Sequence, residues 1–86
     1  MTFEEDAQNF FKSNQEQILN IYNIEREKQG RGVLFISFLE DKIDVYYLKY
    51  EDLSEKIKNQ CNIESKIYFY ITKPSTKEEF IIKFNN

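Results

Sequence analysis

Glu40, Asp41 and Asp44, with Lys42 among them, are the closest this chain comes to a catalytic arrangement. Carboxylates so spaced beside a lysine could hold a magnesium ion and act on a phosphoryl group, as a nuclease does. The same residues, however, form a short polar link where a turn needs solvated side chains. Two other carboxylate groups, Glu4, Glu5 and Asp6, and Glu51, Asp52 and Glu55, fall at expected helix starts, where they complement exposed backbone N–H groups. Caps and turns account for all three. The chain contains no histidine, so the usual base for a serine or cysteine nucleophile is missing, as is the commonest zinc ligand. Cys61 falls on an apolar stripe and reads as a buried structural thiol. The expectation is a protein that is not an enzyme and needs neither metal nor cofactor.

Two other groups of residues could bind rather than react. Both arginines and both glycines lie in the stretch Arg26, Glu27, Lys28, Gln29, Gly30, Arg31, Gly32. Guanidinium forks beside bare backbone can grip phosphate or carboxylate; the competing reading is a helix C-terminus, with basic residues facing the negative end of its dipole. The stretch has neither the repetition of an RGG segment nor the spacing of a phosphate loop. The second group is Tyr46, Tyr50, Tyr68 and Tyr70. If the strands that carry them share one sheet, these rings share a face, and tyrosine suits a surface that is apolar at one end and wet at the other. Sheet tyrosines can also stack nucleobases, but the basic surround of such sheets is missing. The alternative is that the chain's own two helical segments cover the two faces, leaving the rings internal.

The elements that would position these residues follow from periodicity. Thr2 and Glu5 have the spacing of a capping box, so a helix should start at Phe3. Phe3, Ala7, Phe10 and Phe11 recur at helical spacing, and Ile18, Leu19, Ile21, Tyr22 and Ile24 resume it after a polar gap from Lys12 to Gln17. Ser13 and Glu16 repeat the capping-box spacing inside that gap. The segment is one helix to about Gln29 or two helices that break near Ser13. Unbroken, it would run about 40 Å, against about 23 Å for a seven-residue strand. Phe3, Phe10 and Phe11 therefore either fold back over the sheet or reach a second subunit. Gly30 is placed to end the helix with a left-handed residue.

Four extended segments follow, Val33 to Leu39, Ile43 to Tyr50, Lys66 to Thr72 and Glu79 to Phe84. Glu40 to Lys42 joins the first two as a hairpin and Lys73 to Lys77 joins the last two. Between the hairpins Asp52 with Glu55 should cap a short helix whose stripe is Leu53, Ile57 and Cys61. The fold expected is α+β in the order α(α)ββαββ. It has a four-stranded, mainly antiparallel sheet, with a helical arm over residues 1–29 and a ββαββ unit over 32–86 in one domain.

Composition bounds the function. Eighty-six residues, 41% hydrophobic and 31% charged, suit one folded domain rather than disorder. A net charge of −3 opposes a broad grip on nucleic acid or anionic lipid. No apolar run approaches the length of a membrane span, and one cysteine with an acidic N-terminus fits a cytoplasmic protein. Every strand is apolar or aromatic on both faces, which is more surface than two helices readily cover. The function expected is a non-catalytic protein-binding module: an adaptor, an assembly factor or a small inhibitor, and a homodimer. It would act through Tyr46, Tyr50, Tyr68 and Tyr70, oriented by Arg26 and Arg31, with Phe3, Phe10 and Phe11 reaching a neighbour, or through an edge strand. A nucleic-acid-binding module using the tyrosines and Arg31 is the alternative, and a small metal-dependent enzyme comes third.

Overall fold

The computed structural model describes residues 2–38, 42–64 and 66–84. Helix α1 (Phe3–Ser13) begins at Thr2, whose Oγ1 accepts from the Glu5 N–H at 3.2 Å and also meets the Glu5 carboxylate at 3.2 Å. The helical segment breaks one residue beyond the expected Ser13. Asn14 closes α1 by donating its backbone N–H and its side-chain Nδ2 to the Phe10 carbonyl, and opens α2 (Gln15–Gln29) by accepting from the Ile18 N–H. Ser13 and Glu16 form no second capping box; Asn14 takes that position without a side-chain cap of its own. Unbroken, the helix would be longer than the 33 Å long axis of the molecule; the break instead brings α1 back onto β4. Gly30 ends α2 at φ 89°, ψ −167°, so the expected positive φ is present but the residue is extended rather than left-handed helical. That region is open essentially to glycine alone.

Strands β1 (Gly32–Phe38), β2 (Ile43–Lys49), β3 (Ile67–Lys73) and β4 (Glu78–Phe84) form one sheet in the order β2-β1-β3-β4. The two hairpins are antiparallel, while the hairpins join through a parallel β1–β3 pair that the sequence reading did not specify. A parallel neighbour needs a crossover, and here the crossover carries the short helix α3 (Glu55–Gln60). Its cap is Ser54, whose Oγ accepts from the Ile57 N–H, and not Asp52, which lies in a preceding 3-10 turn over Tyr50–Asp52.

Both faces of the sheet are covered near its centre. On one face α1 packs on β4 and α2 on β1 and β2, burying Ala7, Phe11, Ile18 and Tyr22 against Leu34, Ile36, Tyr47, Phe69 and Ile71. On the other face Leu53, Ile57, Cys61 and Ile63, from α3 and its flanks, cover Val33, Phe35, Tyr68 and Tyr70. Central strands buried on both faces explain the unbroken apolar runs of β1 and β3. The expected stripe Leu53, Ile57 and Cys61 is buried as a unit, and burial pushes the Cys61 thiol up.

Candidate functional site

Strand β2 lies at an edge of the sheet, and its backbone polarity can be read from its continuation. The Tyr50 N–H donates to the Arg31 carbonyl at 2.8 Å, one step beyond the Gly32–Lys49 pair. Hydrogen-bonded pairs alternate along an antiparallel ladder. Asp44, Tyr46 and Leu48 therefore direct their amides to β1, while Ile43, Val45, Tyr47 and Lys49 direct theirs outward. The close approach of the Leu48 carbonyl to Gly32 agrees with this polarity, and a β-carbon on Gly32 would also lie 2.8 Å from the Lys49 Cα.

Apolar side chains stand on both faces of this edge, with Lys49 on one face and Asp44 on the other. Ile43 and Val45 stand 48% and 38% exposed on the face that carries α1 and α2, and Tyr46 stands 53% exposed on the other. Tyr50 follows at 47% in the 3-10 turn. Among the described residues the exposed large hydrophobics are these four and Ile24 of α2. Two of the rings are held rather than loose. Tyr46 stacks on Phe35 with centroids 4.9 Å apart and planes 3° from parallel, and Lys58 of α3 lies 4.9 Å from the Tyr50 centroid.

The opposite edge is defended. β4 carries Glu78, Glu79 and Lys83 at exposed positions, its apolar residues are half-buried, and Glu79 pairs with Lys56 of α3 at 3.9 Å. Charges and helical cover are the usual means of blunting a sheet edge. β2 and β4 alike run through seven unbroken pairs without proline or bulge; β2 differs in carrying two charged side chains, Asp44 and Lys49, against three on β4, and in leaving Ile43, Val45 and Tyr46 exposed.

The structure brings together only part of the expected surface. Tyr46, Tyr68 and Tyr70 do share a face, but Tyr68 and Tyr70 are buried beneath α3. Covering of that face by the chain's own short helix was the alternative reading, and it holds for these two rings. Phe3, Phe10 and Phe11 do not reach outward either. Phe3 and Phe10 pack on Phe38 with centroids 6.1 and 4.5 Å apart, and Phe11 lies buried 4.9 Å from Phe69. With the helix broken at Asn14 the N-terminal arm folds back over the sheet, so no overhang remains. Arg26 and Arg31 are exposed and line a shallow hollow of about 380 Å³ with Asn23, Glu27 and Gly30. Among the described residues neither arginine makes an ion pair. The Arg31 carbonyl is tied to Tyr50, so Arg31 marks one end of the β2 edge.

Asp44 is exposed on β2, while Glu40 and Asp41, the other carboxylates of the metal arrangement considered above, lie outside the described residues. Among the described residues no group of three acidic, histidine or cysteine side chains is placed to hold a metal ion, and no helix is long and apolar enough to cross a membrane. Ile43 and Val45 were not singled out in the sequence, because nothing there says that their strand is an edge. Comparison with known proteins gives no match among family models, curated proteins or solved structures.

Proposed function

We propose that this chain is a protein-binding module, non-catalytic, whose binding element is the β2 edge with Tyr46 and Tyr50 beside it. One observation carries the reading: β2 exposes Ile43, Val45 and Tyr46 together with outward-facing backbone amides, whereas β4 is charged and helix-covered. A strand added to such an edge gains main-chain hydrogen bonds, and alternate side chains give it specificity. Arg31, at the end of the edge, steers an acidic approach more than it holds a partner. This is the chemistry of an adaptor, an assembly factor or a small inhibitor in the cytoplasm.

The test compares proteins retained by the immobilised chain from extract of its native cells with those retained by Val45→Lys and Tyr46→Ala. A specific band should weaken by at least about tenfold with either variant, equivalent to ~1.4 kcal/mol, and should survive moderate salt. Retention unchanged by both variants would rule out the edge. Capture of nucleic acid that falls steeply with salt would instead favour the nucleobase-stacking alternative.

A further inference from the structure

We infer that the strand β2 receives is β2 of a second copy of this chain, antiparallel, in a two-fold dimer whose sheet runs continuously through both subunits; this rests on the edge reading above. The strand is complementary to itself. A two-fold axis normal to the sheet makes two copies of β2 antiparallel, and the outward amides of Ile43, Val45 and Tyr47 must meet outward amides. That condition leaves one register centred on each residue of β2. Those centred on Ile43, Leu48 and Lys49 overlap three residues of the strand or fewer, although the first would pair Asp44 with Lys42. The one centred on Tyr47 leaves Ile43 uncovered, and charge selects among the other three. The register centred on Asp44 would set that carboxylate directly against its copy, which is destabilising. The register centred on Tyr46 would set Asp44 against Leu48 and Lys49 against Ile43, each charge facing an apolar side chain. The register centred on Val45 opposes Val45 to Val45, Ile43 to Tyr47, and Asp44 to Tyr46. Here the carboxylate meets a phenol that can donate to it, and the exposed valine and isoleucine are covered on the helical face.

The selected register makes Val45 its own neighbour across the axis, which permits a direct test of that contact. Sedimentation equilibrium of the full chain at micromolar concentration should give twice the 10.5 kDa chain mass. Val45→Lys and Val45→Glu, each placing like charges opposite each other, should each sediment as monomers with unchanged far-UV circular dichroism. An equimolar mixture of the two should recover the dimer, because lysine then faces glutamate. A wild-type monomer throughout the concentration range would overturn the proposal. So would single variants that remain dimeric, since the interface would then lie elsewhere, or a mixture that stays monomeric, since Val45 would not face itself. If the wild type is monomeric yet Val45→Lys still loses the band retained from extract, the second copy fails while the edge reading stands.

Discussion

Tyr47 is the residue at which a tyrosine's two natures are most clearly separated. Its ring sits in the core 6.0 Å from that of Tyr22, while its hydroxyl donates to the Gly30 carbonyl at 2.6 Å, tying β2 to the end of α2. Burial, aided by Tyr22, pushes its pKa up to about 12 from the ordinary 10.0, with Arg26 pulling the other way. The unfolded chain thus releases this proton first, so the group's contribution to stability is fully present below about pH 10 and is lost as pH rises towards 12. Urea unfolding from about pH 8 to pH 11 should show a steady loss of stability above pH 10. Tyr47→Phe should cost about 1 kcal/mol at neutral pH and flatten part of that alkaline decline. Tyr22 and Cys61, raised by the same burial, contribute in the same direction; an unchanged alkaline slope in Tyr47→Phe would show that Tyr47 is not the group responsible. None of this was legible in the sequence, where Tyr47 is one tyrosine of six, because its role depends on a strand meeting the end of a helix across the sheet.

At the scale of elements, side-chain alternation correctly placed Tyr46, Tyr68 and Tyr70 on one face and Phe69 on the other, yet could not say how far the short helix reaches. The helix spans six residues, but Leu53 before it and Cys61 and Ile63 after it extend the cover across β1 and β3. Tyr68 and Tyr70 are core residues for that reason. Tyr70→Ala and Phe69→Ala should both destabilise the fold by about 3 to 5 kcal/mol, whereas Tyr46→Ala should cost about 1 kcal/mol or less, the worth of one exposed ring stacked on Phe35. Chemical denaturation of the three variants separates these cases, and a stable Tyr70→Ala would mean that α3 does not seal its face. The helix break was readable from the polar gap, but its residue was not. Asn14 wins over Ser13 because an amide can reach back to the Phe10 carbonyl while its backbone serves both helices.

At the scale of the whole molecule, the element order and the two hairpins follow from the sequence, since each depends on neighbours along the chain. The order β2-β1-β3-β4 does not, and with it comes the distinction between a defended edge and an open one. The joint between the hairpins sets how the chain assembles in time. Each hairpin closes over a handful of residues, but Leu34 pairs with Phe69, 35 positions further on, and only after the crossover and its helix have been drawn in. Closing that span is the slow event, because chain entropy is lost before any ladder bond compensates for it. Ile36→Val and Ile71→Val, which weaken the parallel joint, should slow refolding in stopped-flow measurements, while Ile18→Val on α2 should chiefly hasten unfolding. The opposite pattern would place the helical layer, rather than the joint, in the transition state. Until the joint forms, both sides of each hairpin stand open to solvent and to other chains, so the nascent protein passes through a brief interval of greatest vulnerability to aggregation that its finished form conceals.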